Sequence, residues 1–106
     1  MARALLTVPK TARRGDVIEV RALIAHPMET GYRPGAEGQL LPRDLIRRFT
    51  CRYDGAVVFA ADLYAAIAAN PYLAFTTIAT ASGTLEFVWE GDNGFAQTER
   101  VQITVT

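Results

Sequence analysis

A chain of 106 residues is long enough for one domain with a hydrophobic core, because folding at this length buries about two thirds of the surface that the unfolded chain exposes. Half of the residues are hydrophobic and 21% are charged, which excludes a disordered or low-complexity chain. Eleven basic residues balance eleven acidic ones, which argues against binding to nucleic acid or to an anionic membrane. We therefore expect one globular domain, residues 1–106, whose partners are proteins or small molecules.

Targeting signals are also missing from the sequence. No apolar run reaches the length of about 18 residues that a membrane span needs, and the stretch MARALLTVPKTARRGD lacks a long apolar segment followed by a cleavage site. We therefore expect the chain to carry no export signal of its own. Cys51 is the only cysteine and cannot form an internal disulfide, so cysteine content does not indicate the redox state of the compartment.

Apolar and polar residues alternate with period two along most of the chain, which is typical of half-buried strands. In the second strand Ile18, Val20, Ala22 and Ile24 share one face; near the C-terminus Leu85, Phe87 and Trp89 do so, which places Trp89 in the core rather than on a ligand platform. The pattern predicts about seven strands: residues 3–8, 16–26, 45–53, a strand after 54–55, and then 75–80, 84–90 and 100–105.

The connections support the same architecture. Asp54-Gly55 is the pair that a two-residue type I′ turn requires, so the third and fourth strands should form a hairpin. Residues 62–70, DLYAAIAAN, favour a crossover with one helical turn that ends before Pro71. Short strands, regular turns and a central crossover predict an all-β antiparallel sandwich of the immunoglobulin or fibronectin type III kind.

One connection is much longer than the others. Residues 27–42, PMETGYRPGAEGQLLP, span sixteen positions with three Pro and three Gly, whereas connections in compact domains usually take about four to six. Pro27 makes the chain leave the strand stiffly after His26, and Pro34-Gly35 has the composition of a type II turn. We expect an ordered loop with Met28 and Tyr32 exposed, since both residue types are enriched where proteins meet proteins.

Three stretches carry a family resemblance. ALIAHPMETGYR, then GQLLPRDLIRRF and then NPYLAFT, together resemble SoxZ, the Z subunit of the sulfur carrier complex in bacterial thiosulfate oxidation, over nearly the full chain. The resemblance implies an immunoglobulin-like subunit that pairs with a SoxY-like protein, whose Gly-rich C-terminal arm presents a Cys carrying covalent sulfur intermediates. The sequence ends VQITVT without such an arm, as a Z-type rather than a Y-type subunit would.

The resemblance also implies a location and a set of contacts. We expect a periplasmic heterodimer or higher assembly, exported on the signal of the partner, with transient contacts to other enzymes of thiosulfate oxidation. The expected partner-binding residues belong mainly to the long loop: His26, Met28, Glu29, Thr30, Gly31, Tyr32, Arg33 and, from the start of the fifth strand, Tyr72. Met28, Tyr32 and Tyr72 are the expected anchors.

His26 allows more than one interpretation. Together with Met28 and Cys51 it suggests a copper centre, but a blue-copper site needs a second imidazole and the chain has one His. His26 either forms hydrogen bonds at the end of a strand or contacts the partner or its arm. For Glu29 the sequence leaves a partner Arg and nearby backbone amides both open. We expect no metal and no cofactor.

The remaining reactive residues also favour a non-catalytic chain. Cys51 points inward on an alternating strand, away from any group that would stabilise a thiolate. Arg43, Arg47, Arg48 and Arg52 either steer an anionic partner or form a solvated sheet face. We expect no enzymatic activity. Two other classes stay open: a carbohydrate-binding sandwich, and a metal-dependent redox protein completed by a second chain.

Overall fold

The computed structural model describes residues 2–64, 67 and 69–106. Within these residues eight strands follow one another, with a single turn of 3-10 helix, Asp92–Gly94, between the last two. The strands are β1 Ala4–Thr7, β2 Thr11–Ala12, β3 Val17–Ile24, β4 Ile46–Tyr53, β5 Ala56–Asp62, β6 Tyr72–Ile78, β7 Gly83–Gly91 and β8 Ala96–Val105. Among the described residues, no helix is long and apolar enough to cross a membrane.

The strands form two sheets that pack face to face. The smaller sheet has the order β1-β3-β6 and the larger one β2-β8-β7-β4-β5. All pairings are antiparallel except that of β2 with β8, so the N-terminal segment pairs first with one sheet and then with the other. This arrangement is that of an immunoglobulin-like sandwich, and the predicted all-β sandwich is confirmed.

The core lies between the sheets because one face of each strand is apolar. Alternate residues of β3 are buried, from Ile18 to Ile24, and Leu85, Phe87 and Trp89 of β7 face them across the sandwich. Aromatic rings join the two sheets at one side: Phe59 of β5 stacks on Phe75 of β6 with ring centroids 4.4 Å apart. Such aromatic pairs contribute about 0.5–1.5 kcal/mol beyond their burial.

Most predicted elements agree with the structure. The hairpin of β4 and β5 is confirmed, and Asp54 and Gly55 adopt φ of 48° and 86°, as a type I′ turn requires. Cys51 and Trp89 are buried as expected. The last strand begins at Ala96 rather than at residue 100, because it continues to pair with β7 up to Glu90.

Two local features, the short strand β2 and the predicted helical turn, need separate comment. The two-residue strand β2 was not predicted, since Thr11–Ala12 is too short to show alternation. The predicted helical turn falls on residues 62–70, of which 65, 66 and 68 lie outside the described residues, while Asp62 itself belongs to β5.

Candidate binding site

The long connection between β3 and β4 folds into a narrow double-stranded projection, here called the finger (residues 29–44). At its base Glu29 and Asp44 exchange two backbone hydrogen bonds, each 2.8 Å between nitrogen and oxygen. Farther out the Leu41 amide donates to the Arg33 carbonyl at 2.8 Å. The backbone of the finger is therefore paired with itself, and the prediction of an ordered loop is confirmed.

The outer part of the finger, residues 32–41, is here called the tip, and the turn within it differs from the prediction. The Gly38 amide donates to the Gly35 carbonyl at 3.1 Å, and Gly38 has φ of 85°. A type II turn at Pro34-Gly35 would need positive φ at Gly35, whereas the positive φ lies at Gly38. The tip instead has the form of a hairpin loop whose last residue is left-handed, a position that glycine occupies without strain.

The expectation that Met28 is exposed is wrong. Its residue is only 4% exposed, and its Sδ accepts a hydrogen bond from the Ile46 amide at 3.3 Å. The backbone reverses at Met28, with φ of 52°, and this turns the side chain inward against β4. Met28 therefore forms part of the core beneath the finger and is not available to a partner as an anchor.

His26 is buried in the same place. Its Nδ1 accepts the Met28 amide at 3.0 Å, its Nε2 lies 3.6 Å from Oδ1 of Asp44, and its ring meets the Phe95 ring edge-on at 5.1 Å. The side chain is 5% exposed, so the ring has almost no surface for a partner. His26 and Asn70 also exchange hydrogen bonds, which join the start of the finger to the segment before β6. These contacts favour the interpretation of a hydrogen-bonding residue at a strand end.

Within the chain Glu29 binds a side chain rather than the nearby backbone amides, and its pairing with an Arg of the partner stays a prediction. Its carboxylate binds Nε and Nη2 of Arg33 at 2.9 and 2.6 Å, within the finger itself. This pairing lowers the pKa of Glu29, chiefly through the hydrogen bonds from Arg33. Thr30 accepts the Tyr32 amide at 3.3 Å, and Gly31 has φ of 90°, so both shape the backbone on one side of the finger.

Asp92 holds the returning side of the finger against the sandwich. Its carboxylate lies 2.6 Å from Nε of Arg47 and 3.2 Å from Nε of Arg43, and it accepts the Leu45 amide at 3.1 Å. The hydrogen bond from Arg47, with smaller contributions from the Leu45 amide and the charge of Arg43, lowers the pKa of Asp92. Next to it Gly91 packs so closely that a Cβ there would lie 2.3 Å from the Leu45 carbonyl oxygen.

The root of the finger is therefore rigid and its tip is exposed. Tyr32 is 82% exposed and Leu40 is 60% exposed, and the Arg33 side chain extends into solvent. Tyr72 is 55% exposed at the start of β6, close to the root through the hydrogen bonds of Asn70. Of the predicted partner-binding residues, Tyr32, Arg33 and Tyr72 present large side chains to solvent.

Sequence reasoning missed an apolar row beside the finger. Leu5, Leu23 and Tyr72 lie side by side on β1, β3 and β6, on the outer face of the smaller sheet. A pocket of 440 Å³ opens there and is lined by Arg3, Ala4, Leu5, Leu23, Ala25 and Asn70. Leu23 interrupts the polar phase of β3, and this break in the alternation is the sequence signal that would have found the row.

The arginine cluster is paired within the chain. Arg43 and Arg47 bind Asp92, Arg48 binds Asp62 at 2.6 Å, and Arg52 approaches Glu86 at 3.8 Å. Glu86 also binds Arg100 at 3.0 Å across the outer face of the larger sheet. The cluster is thus a set of ion pairs on an exposed face. This arrangement favours the interpretation of a solvated sheet face over that of a surface that steers an anionic partner.

The described residues offer little reactive chemistry. Cys51 is fully buried, and this burial raises the pKa of its thiol to about 12. Within residues 2–64, 67 and 69–106, no group of three or more His, Cys, Asp or Glu side chains lies close enough together to hold a metal ion. The competing class, a metal-dependent redox protein completed by a second chain, is tested by elemental analysis of a purified complex.

The fold and the site define a class of protein: an immunoglobulin-like sandwich that displays an ordered finger. Comparison with protein families then identifies the group within that class. The family described as "Sulphur oxidation protein SoxZ" matches residues 6–102, so the chain belongs to the SoxZ family and is a sulfur-oxidation protein. The resemblance seen in the sequence is thereby confirmed. A search of curated proteins found no match.

Solved structures of similar shape include two kinds of protein. A superoxide reductase (neelaredoxin) from Ignicoccus hospitalis is 18% identical, with a TM-score of 0.75 over 97% of this chain and 79% of that one. A putative superoxide reductase from Thermotoga maritima is 14% identical, with a TM-score of 0.74 over 97% and 85%. The sulfur carrier protein SoxY from Chlorobium limicola f thiosulfatophilum is 13% identical, with a TM-score of 0.68 over 97% and 78%. At these identities the likeness establishes the fold alone.

Proposed function

We propose that the chain is the non-catalytic subunit of a sulfur carrier complex. It binds a SoxY-like protein whose C-terminal cysteine arm carries covalent sulfur intermediates during thiosulfate oxidation. The observation that carries this proposal is the match of the SoxZ family to residues 6–102. The complex works in the periplasm, exported on the signal of the partner, and makes transient contacts with other enzymes of the cycle.

The geometry of the finger supports a binding role rather than a chemical one. Its root is fixed by buried contacts of Met28 and His26, so little conformational entropy remains to be lost there on binding. Its tip presents Tyr32, a residue type that supplies a large contact area with few rotatable bonds. A stiff projection with an aromatic tip is suited to hold a partner in one orientation while the partner's arm moves.

The chemistry of the chain points in the same direction. A thiolate is the reactive form of cysteine, and the buried Cys51 with its raised pKa is almost entirely protonated at neutral pH. The imidazole of His26 faces Asp44, the Met28 amide and the Phe95 ring rather than solvent. Sulfur transfer therefore belongs to the partner in this proposal.

Co-expression with a SoxY-like protein of the same organism tests the proposal. With the affinity tag on the SoxY-like protein alone, we expect the untagged chain to co-purify and the mass measured by light scattering to fit a defined complex. A SoxY-like protein that lacks its terminal Cys should still bind but should support no thiosulfate oxidation in a reconstituted assay. Separate elution of the two proteins, or thiosulfate oxidation by the isolated chain, would contradict the proposal.

The finger is tested in the same assay. Tyr32→Ala should weaken the complex, because an exposed aromatic residue at the tip is the strongest candidate for a hot spot. Val57→Ala, on the exposed surface of β5, serves as a control for the loss of a smaller exposed apolar side chain. Equal affinities for the Tyr32→Ala chain and the unmodified chain would remove the finger from the interface while leaving complex formation itself intact.

A further inference from the structure

One long segment of the chain is almost free of charge. Asp62 is the only charged residue between Gly55 and Leu85, although the whole chain has eleven basic and eleven acidic residues. Asp62 forms an ion pair with Arg48 at 2.6 Å, and the positive charge of Arg48 offsets the charge of Asp62. The segment contains β5 and β6, which are outer strands of the two sheets and meet through the stack of Phe59 on Phe75. The side of the sandwich formed by β5 and β6 therefore carries no charge of its own apart from the paired Asp62.

Outer strands normally carry features that prevent other strands from pairing with them, such as charged residues, bulges or very short lengths. At β1 the strand is only four residues long, and at β5 the pairing with β4 shifts register between Cys51 and Arg52, as at a bulge. By contrast, β6 has seven residues, no charge, and an unbroken register with β3. Among the described residues, β6 pairs with β3 alone.

The hydrogen bonds at the two ends of β6 show which backbone groups face outward. The Ile24 amide donates to the Pro71 carbonyl at one end, and the Ala79 amide donates to the Asp16 carbonyl at the other. In an antiparallel pair the hydrogen-bonded positions alternate, so odd-numbered residues of β6 bond to β3. The amides and carbonyls that point toward the free edge are those of Tyr72, Ala74, Thr76 and Ile78.

A row of outward N–H and C=O groups is recognised by another extended strand, since only a strand offers the complementary spacing. The core of a protein interface is also depleted of charge, as this side of the sandwich is. In immunoglobulin sandwiches a fourth strand commonly lies beside the strand that β6 corresponds to, whereas the described sheet ends at β6. The edge thus has the length, the register and the composition that strand addition requires.

We propose that an extended, uncharged strand of the SoxY-like partner adds to the free edge of β6 and enlarges the smaller sheet from three strands to four. This inference rests on the proposed function and names where the partner is held. The added strand lies beside Tyr72, the residue at the root of the finger that the sequence already indicated. The finger then contacts the partner at the end of the shared sheet.

Amide hydrogen exchange of the purified complex, resolved by residue, tests the proposal directly. Binding should slow exchange at least tenfold at Tyr72, Ala74, Thr76 and Ile78, the positions that face the edge, and should leave the amides of β5 unchanged. A complex that forms without this alternating protection would overturn the inference and leave the proposed function standing. Failure of the two proteins to form a complex would overturn both.

A pair of variants at one position gives an independent test. Thr76→Pro removes an amide that faces the edge, and its ring obstructs an incoming strand, whereas Thr76→Val keeps the amide and the branched shape. We expect Thr76→Pro to weaken the complex at least about tenfold and Thr76→Val to bind as the unmodified chain does. Ala74→Pro repeats the test if Thr76→Pro does not fold, as judged by circular dichroism. Equal binding by the Pro and Val variants would overturn the proposal, as would protection of the edge by self-association of the isolated chain.

Discussion

The root and the tip of the finger are built in opposite ways from one continuous stretch of sequence. At the root Met28 is 4% exposed: its amide donates to Nδ1 of His26, and its Sδ accepts the Ile46 amide of β4. At the tip Tyr32 is 82% exposed, and the backbone there is held by hydrogen bonds between the two sides of the finger. The comparison teaches that the loop is not one binding surface: residues near its start determine its direction, and residues beyond Thr30 are available to a partner.

The largest expected effect separates two glycines, Gly91 in β7 beside the root of the finger and Gly38 at its tip. A Cβ at Gly91 would lie 2.3 Å from the Leu45 carbonyl oxygen and 2.9 Å from Cα of Ile46, both backbone atoms that cannot move aside cheaply. We expect Gly91→Ala to lower the free energy of unfolding by about 3 kcal/mol or more. Gly38→Ala at the tip meets no atom within 4 Å, so only its positive φ costs stability, about 1 kcal/mol. Urea denaturation of both variants measures the difference, and equal values would contradict the rigid root.

The next effect concerns the buried thioether. Met28→Ala should cost about 2–4 kcal/mol, because it leaves a cavity and removes the acceptor of the Ile46 amide. Tyr32→Ala, at the tip, should change the free energy of unfolding by less than about 0.5 kcal/mol. Thermal and urea unfolding of the two variants provide the measurement. A Met28→Ala chain as stable as Tyr32→Ala would mean that Met28 is exposed in solution.

A smaller effect is expected at His26. His26→Phe keeps a ring beside Phe95 but leaves the Met28 amide without its acceptor, which should cost about 1–2 kcal/mol. Exchange of the Met28 amide should accelerate in this variant, while exchange of the Leu41 amide farther along the finger should follow global stability alone. An unchanged rate at Met28 would show that the Nδ1 bond does not hold the root.

The smallest effect is a difference in pH dependence. The pKa of Asp92 is lowered in the folded protein, so the stability from this group is present above the ordinary carboxyl value of 3.8 and is lost as pH falls through the lower folded value. Asp92→Asn should therefore be less stable than the unmodified chain at neutral pH, and the gap should close in acid. Glu29→Gln should show the same sign with a smaller gap, because Arg33 is its single charged partner and is largely in solvent. Thermal unfolding of the three chains, measured at about every pH unit from pH 2 to pH 7, checks this prediction. A larger gap for Glu29→Gln than for Asp92→Asn would contradict it.

The strands were predictable because burial of one face imposes a period of two on the sequence. Ile18 to Ile24 and Leu85 to Trp89 show that period, and Asp54-Gly55 is one of the few residue pairs that favour a type I′ turn. The burial of Met28 was not predictable in this way, because Met28 lies in the connection beyond the predicted strand 16–26. His26 keeps the inward phase of Ile24, but the pattern does not show which groups surround it. Their environment comes from Ile46 and Phe95, which are distant in sequence.

The edge of β6 lies between these two cases. The charge-free run from Gly55 to Leu85 is visible in the sequence, with Asp62 as its single exception. That run alone does not distinguish a strand in the middle of a sheet from a strand at its edge, because either kind can lack charged residues. Only the strand order of the described residues shows β6 as the last strand of its sheet, and sheet order depends on long-range pairing that local patterns do not encode.

The burial of Cys51 has a practical consequence for work on the assembled carrier. Its sulfur is fully enclosed and its pKa is raised to about 12, so alkylating reagents, disulfides and polysulfides at neutral pH find no reactive thiol on this chain. In a complex with the proposed partner, mass tags that count accessible thiols would therefore report the loading of the partner's arm without a background signal. The chain itself would then add no thiol signal, and every mass tag counted would come from the partner.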